Sequence, residues 1–97
     1  MDEALILCAV DIGGRSSVNF DVEIPTQKVG DFDTELVKEF VLALAREMGL
    51  TVHIRMLAGE NTHHIIEGMF KAFAKALDEA CQKDDRIKSV LSTKGSL

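Results

Sequence analysis

The 97-residue sequence contains no tryptophan and no tyrosine, and five phenylalanines are its whole aromatic content. A single domain of this size buries only about 60–65% of the surface that its unfolded chain exposes. Because the largest aromatic side chains are missing, the core must be thin. We therefore expect one small domain whose packing is completed by a partner subunit.

Positive charge is also scarce, since 11 lysines and arginines face 16 aspartates and glutamates, for a net charge of −5. An acidic balance disfavours non-specific binding to nucleic acid and to anionic membrane surfaces. No aromatic or basic platform offsets it, which also disfavours a nucleic-acid-binding module. The expected partner is a small molecule or another protein chain, with no nucleic acid and no membrane.

The two cysteines, Cys8 and Cys81, have neither metal-site nor redox spacing and suit a reduced cytosol. No apolar run reaches the ~18 residues that would span a bilayer. The acidic start, Met1-Asp2-Glu3, is unlike a secretory or organellar leader. We expect a soluble, cytoplasmic protein.

The first part of the chain predicts two strands joined by a hairpin. Residues 4–12 are apolar at nearly every position, which is typical of a strand covered on both faces. Gly13-Gly14 can supply the positive φ angles of a hairpin turn, with Arg15 at or next to its tip. Residues 17–24 alternate between polar and apolar, which predicts a second strand with one buried face, and Pro25 ends it.

The next segment predicts a helix that ends at Met48. Asp33 is a natural N-cap, with Phe32 and Val37 placed to form a hydrophobic staple. Gly49 follows the helix as its stop signal. The apolar face of this helix is predicted to comprise Leu36, Val37, Phe40, Val41, Leu44 and Met48.

Residues 50–57 predict a third strand, in which Val52, Ile54 and Met56 share one face. If helices cover that face, His53 and Arg55 project from the opposite one. The alternative is that His53 is simply an exposed strand residue. With a second helix after it, the chain reads as a two-layer α+β unit of order β-β-α-β-α, with one sheet face open for a partner.

That second helix carries the most informative stretch of the sequence, residues 61–71. Asn61 or Thr62 can cap its free amides, and it runs to about Cys81. Apolar residues recur at helical spacing along it. The predicted stripe consists of Ile66, Phe70, Phe73, Leu77 and Ala80.

The polar edge of this helix suggests a metal site. His63 and Glu67 lie one turn apart on the same face, and Lys71 is the next step along that column. His64 is rotated by ~100° from His63, so the neighbouring imidazoles cannot easily clamp one ion between them. The simplest consequence is two ions, each only partly ligated by this chain.

A solvated helix edge is the alternative interpretation. A Glu67–Lys71 pair is an ordinary surface contact worth ~0.2–0.5 kcal/mol, and a histidine near a helix start usually meets solvent. Two adjacent histidines with a glutamate three and four residues on are less ordinary, which favours the metal site. The arrangement is a relative of the helical His-Glu-x-x-His signature, so spacing alone does not name the metal.

Residues 59–67 and 70–72 resemble the second metal motif of the imidazoleglycerol-phosphate dehydratase family. Family members are about twice this length and look like two copies of one unit, each with a double-His motif. This sequence, a single domain over 1–97 with a polar tail at 83–97, resembles the second copy. The likeness covers essentially the whole chain and also includes residues 11–15, 29–33, 51–54 and 92–95.

The resemblance implies a fold similar to the second domain of ribosomal protein S5, and sites shared between subunits of a large assembly. It implies that manganese ions are ligated by His53, His63, His64 and Glu67; imidazole and carboxylate donors also suit zinc or another divalent metal. Glu67 is in addition the candidate catalytic residue, assisting proton transfer. The residues implied to hold the substrate phosphate are Arg15, Lys71, Ser92 and Lys94.

The implied function is that of a lyase of histidine biosynthesis, which dehydrates imidazole glycerol phosphate to imidazole acetol phosphate. The ligands and the catalytic acid of the first copy have no counterpart here. We expect homo-oligomerisation, or the missing N-terminal half, to supply them. The alternative is a catalytically incomplete half-domain that folds, oligomerises and binds divalent metal without turnover.

Overall fold

The computed structural model describes residues 2–82 and confirms the predicted two-layer α+β class. The predicted tail at 83–97, with Ser92 and Lys94, lies outside the described residues. The predicted β-β-α-β-α order holds, with one addition, a short hairpin before the first helix. The elements are β1 Leu5–Ile12, β2 Ser17–Asp21, β3 Lys28–Val29, β4 Phe32–Asp33, α1 Glu35–Met48, β5 Leu50–Ala58 and α2 Thr62–Cys81.

The predicted hairpin between the first two strands is wrong, because β1 and β2 are not neighbours. The three-stranded sheet has the order β1-β5-β2, with β5 antiparallel to β1 and parallel to β2. The central position goes to β5 because Leu50, Val52 and Ile54 are buried almost completely. A strand flanked on both sides and covered by both helices is the one that can bury such a row.

The chain entering α1 also differs from its prediction. Asp33 belongs to β4, where it pairs with Lys28, and Thr34 takes the N-cap position. The Thr34 hydroxyl donates to the carbonyl of Thr26 at 2.6 Å instead of capping the helix. Phe32 therefore lies one position too early for the predicted staple and is 43% exposed. The short β3–β4 hairpin, and not the N-cap preference of Asp33, therefore determines where α1 starts.

Both helices pack on one face of the sheet, α1 against β2 and β5, and α2 against β1 and β5. The other face of β1 is open, with Leu5 and Leu7 each 58% exposed. Within one chain β1 is therefore covered on one side only, and the predicted open sheet face is present. The buried core cluster consists of Val37, Val41, Ala45, Leu50, Val52, Ile54, Met69 and Phe73.

The helix faces are shifted from their predicted positions. On α1, Val37 and Val41 are buried, but Leu36 and Phe40 are each 49% exposed. Phe73 is buried on α2, but the centre of its stripe is Ile65 and Met69, which the prediction omitted. The predicted Ile66, Phe70 and Leu77 flank that centre, half-buried. Within residues 2–82, neither helix is long and apolar enough to span a bilayer.

The end of α1 is held by a close backbone contact. Gly49 has the left-handed φ of 66°, as predicted for a helix stop, and its carbonyl accepts from the Gly14 N–H at 3.0 Å. A Cβ at position 49 would lie 2.9 Å from the Gly14 Cα. Glycine is therefore required at this position for conformation and for space.

We predict that Gly49→Ala is more destabilising than Gly30→Ala. Both glycines have left-handed φ values, so each substitution should cost ~1–2 kcal/mol, but only position 49 faces backbone atoms. Overpacking there should cost a further ~1–3 kcal/mol. Urea unfolding of the two variants measures the difference, and equal losses would contradict the backbone contact.

Candidate metal site

The start of α2 positions the double-His motif. The Asn61 side chain accepts the His64 backbone N–H at 3.1 Å, so Asn61 is the N-cap of the two predicted candidates. Thr62 is buried instead, and its hydroxyl accepts from the Thr26 hydroxyl at 3.0 Å. These contacts fix the first turn of α2 and with it the backbone of His63 and His64.

The two imidazoles diverge, as the helical spacing predicts. The ring centroids of His63 and His64 are 6.3 Å apart, with an angle of 66° between the ring planes. His63 is exposed, whereas the His64 side chain is only 27% exposed. The two rings therefore meet different neighbours and present their nitrogens to different regions of space.

Glu67 carries an unsatisfied buried atom. Its Oε2 is shielded from solvent and has no hydrogen-bond partner among residues 2–82. The Lys71 ammonium lies 3.8 Å away as a loose ion pair one turn along the helix. A buried carboxylate oxygen without a donor is costly, so it is suited to receive a cation. Carboxylate oxygen and imidazole nitrogen are both ligands of divalent ions such as manganese and zinc, so this donor set fits a metal.

The His64 ring is held by acidic residues that the sequence interpretation missed. His64 Nδ1 lies 2.7 Å from Glu3 Oε1, and its Nε2 lies 3.5 Å from Asp2 Oδ2. The other Glu3 oxygen accepts the backbone N–H groups of Glu60 at 2.7 Å and Asn61 at 2.8 Å. No short-range spacing signals this contact. It follows from the antiparallel β1–β5 pairing, which places Leu5 opposite Ala58.

These contacts shift the titration of Glu3. The backbone hydrogen bond from Asn61 is the largest cause, followed by the His64 ring and the Glu60 N–H, and together they lower the pKa of Glu3 to about 2. The carboxylate form of Glu3 is therefore the one that makes the hydrogen bonds between the segment before β1 and the start of α2.

His53 lies apart from the other candidate ligands. It is exposed on the open sheet face, between Ala9 of β1 and Asn19 of β2. Because α2 packs on the opposite face, the sheet separates His53 from the imidazoles of its own chain. Beside it, Arg55 Nε lies 3.9 Å from Asp21 Oδ2. The predicted projection of His53 and Arg55 from the sheet face opposite the helices is confirmed.

Arg15 lies at the far end of β5 from the start of α2. Its side chain is exposed, and its carbonyl accepts weakly from the Thr51 hydroxyl at 3.4 Å. Among residues 2–82, no three histidine, cysteine, aspartate or glutamate side chains converge closely enough to hold a metal ion. A complete ligand set would need donors from outside these residues of one chain.

Comparison with known proteins identifies the family. The model of the family described as imidazoleglycerol-phosphate dehydratase matches residues 1–77. The chain belongs to the imidazoleglycerol-phosphate dehydratase family. It is 57% identical over 97 residues to the imidazoleglycerol-phosphate dehydratase of Acetivibrio thermocellus, covering 100% of this chain and 50% of that protein. The corresponding protein of Clostridium acetobutylicum is 54% identical over the same length.

Solved structures of imidazoleglycerol-phosphate dehydratases have the same fold. The Staphylococcus aureus protein superposes with a TM-score of 0.84 at 48% identity, over 87% of this chain and 49% of that chain. The Pyrococcus furiosus protein, solved in complex with (S)-C348, gives 0.85 at 46% identity, over 100% of this chain and 53% of that chain. The chain thus spans about half the length of the family members it matches.

We predict an acid-dependent loss of stability that Glu3 controls. Its pKa is lowered from 4.5 to about 2 on folding. As the pH falls through this range, Glu3 is therefore protonated in the unfolded state while it is still ionised in the folded state. Stability from Glu3 is fully present above about pH 4.5 and is lost as the pH falls towards 2. Urea unfolding of the metal-free chain between these pH values measures it.

Glu3→Gln should flatten this dependence, because the amide does not titrate. Glu23→Gln, at an exposed position outside these contacts, is the matched control and should keep the wild-type slope. The interpretation is wrong if both variants give the same pH profile.

Proposed function

We propose that this chain is the C-terminal half of a carbon–oxygen lyase of histidine biosynthesis, which dehydrates imidazole glycerol phosphate to imidazole acetol phosphate. The observation that carries the proposal is the buried Glu67 Oε2, which has no hydrogen-bond partner among residues 2–82 and lies on the same helix as the diverging His63 and His64. The chain also aligns along its whole length with dehydratases. A cytoplasmic location accompanies this role.

We propose that His63, His64 and Glu67 hold two divalent ions, manganese or alternatively zinc, each only in part. His53 can join them only from a neighbouring unit, since the sheet separates it from α2 of its own chain. When bound, the ions would stabilise negative charge on the substrate imidazole. Glu67 would act both as a ligand and as the group that assists proton transfer at its carboxylate.

The substrate phosphate is assigned to Lys71 and Arg15, with Ser92 and Lys94 from the 83–97 segment. The Lys71 side chain is 67% exposed and only loosely paired with Glu67, so it is available to an anion once Glu67 binds a cation. Because Arg15 lies at the opposite end of β5, it would reach the phosphate of another unit's site. Phosphate binding thus also calls for an assembly.

Two exposed apolar surfaces support this assembly. The sheet surface contains Leu5, Leu7 and Leu57. The helix surface contains Leu36, Phe40 and Met48, and the Phe40 ring centroid lies 5.7 Å from that of Phe70. Apolar side chains grouped on two sides of so small a unit indicate protein contacts. We assign them to further copies of this chain or to the missing N-terminal half.

A second candidate function follows from the half-length of the chain. The relatives' other half has no counterpart here, so an assembly of this unit alone would bind divalent metal without turnover. The two candidates differ in whether the chain contributes to dehydration of the substrate, whereas both require assembly and metal.

Turnover measurements test the proposal directly. We expect dehydration of imidazole glycerol phosphate when this chain is combined with the N-terminal half of a relative, such as that of Acetivibrio thermocellus, and Mn²⁺. Glu67→Gln should abolish it, while Glu47→Gln on the outer side of α1 should not. Activity of the chain alone would exclude the second candidate, and inactivity of every combination would contradict the first.

We also predict that assembly and metal content are linked. Phe40→Glu places a charge in the helix surface. It should lower both the mass of the particle formed with Mn²⁺ and the amount of metal bound per chain, because shared ligands are lost. His53→Ala should lower the metal content at unchanged mass. Native mass spectrometry and elemental analysis of the same particles measure both, and a wild-type monomer that binds its full metal content would contradict shared sites.

A further inference from the structure

The carboxylate of Glu3 is held rigidly against the His64 ring. One oxygen accepts the N–H groups of Glu60 and Asn61 at 2.7 and 2.8 Å, while the other lies 2.7 Å from His64 Nδ1. Both oxygens are thus engaged, and the group has little freedom to turn away. Because Glu3 comes just before β1 and α2 just after β5, the sheet register sets this contact.

We infer that Glu3 is a positioning residue, which holds His64 with its proton on Nδ1 and leaves Nε2 as the nitrogen that binds the metal. The inference rests on the proposed metal site. A carboxylate accepts hydrogen bonds and cannot donate them, so the short contact requires the proton on the histidine side. Metal-binding histidines commonly donate the second ring N–H to such a carboxylate, which fixes the tautomer and the ring orientation.

The surroundings of Nε2 agree with this role. Its neighbour, Asp2 Oδ2, is 3.5 Å away, which is longer than a good hydrogen bond, and the Asp2 side chain is 72% exposed. An incoming cation can therefore replace this contact without disturbing the Glu3 side of the ring. The imidazole has one nitrogen that is anchored and one that is accessible.

A purely structural role is the competing explanation. Glu3 would then only accept hydrogen bonds from the amides of Glu60 and Asn61, as a carboxylate near the N-terminus of a helix often does. His64 would be an incidental neighbour. The two explanations agree that Glu3→Ala lowers stability. Both also have the proton of His64 on Nδ1 while the contact exists. They differ on whether loss of the contact changes the metal affinity of the folded protein.

Long-range ¹H–¹⁵N NMR of the metal-free chain at pH 8 tests the tautomer. Neutral imidazole in water prefers the proton on Nε2, so the proposed Nδ1–H form in the wild type identifies an imposed state. Glu3→Ala should shift His64 towards Nε2–H. Asp2→Asn is the matched control and should keep Nδ1–H. A wild-type His64 with its proton on Nε2 overturns the inference.

Calorimetric titration with Mn²⁺, on the assembled protein at a temperature where every variant is folded, tests the consequence. Glu3→Ala should weaken binding by ~10–100-fold, the usual effect of removing such a carboxylate. Glu3→Gln keeps only one acceptor oxygen, which can accept either from His64 Nδ1–H or from the amides of Glu60 and Asn61 but not from both, so it should recover at most part of the affinity. Asp2→Asn should leave the affinity close to that of the wild type, because an incoming cation replaces the long Asp2 contact.

The outcomes separate this inference from the proposed function. Unchanged Mn²⁺ affinity in Glu3→Ala, with wild-type binding intact, overturns the positioning role and leaves the metal site standing. Absence of Mn²⁺ binding in the wild type itself overturns the metal site and the inference with it. A shift of tautomer without any change of affinity also overturns the positioning role, because orientation would then have no effect on the metal.

Discussion

The alternation of residues along β5 is the constraint on which the structure depends. Val52 and Ile54 point into the helix layer and are buried almost completely, whereas His53 and Arg55, which alternate with them, point to the open sheet face. A shift of one residue would exchange these two sets and destroy the core. The same alternation directs His53 away from the helix that carries His63 and His64. The alternation along β5 therefore determines both the packing of the core and the position of His53 on the side of the sheet away from His63 and His64.

The elements that sequence reasoning located correctly have a strong local signal. Examples are the end of α1 at Gly49, the N-cap of α2 at Asn61, which was one of two predicted candidates, and the facing of β5. They are determined by φ, by a nearby hydrogen bond and by strict alternation, respectively. One error concerns a long-range choice and another concerns a competing local contact. The Gly13-Gly14 turn does not reveal that β5 will separate β1 from β2. Asp33 has the chemistry of an N-cap, yet its pairing with Lys28 in the short β3–β4 hairpin determines its place.

The candidate site shows the same limit. Helical geometry alone predicts the divergence of His63 and His64 and the alignment of Glu67 with Lys71, and the structure has both. Glu3 was missed, since 60 residues of chain separate it from the ring it contacts and only the strand register joins them. The role proposed for His53 depends on neighbouring units, which the fold of one chain does not contain. The local motif thus predicts the helix that carries it, but not the groups that contact it from elsewhere in the chain or that are proposed to come from neighbouring units.

The two outer strands of the sheet have a further consequence. In the described part of the chain, β1 and β2 each pair on one side only, so each leaves a row of main-chain N–H and C=O groups without a strand beside it. Edge strands of this kind can pair with a strand from another chain. β2 has five residues and β1 has eight, so β1 offers more main-chain groups for such pairing. Growth of the sheet by main-chain pairing is thus a route to larger particles that needs neither apolar surface nor metal.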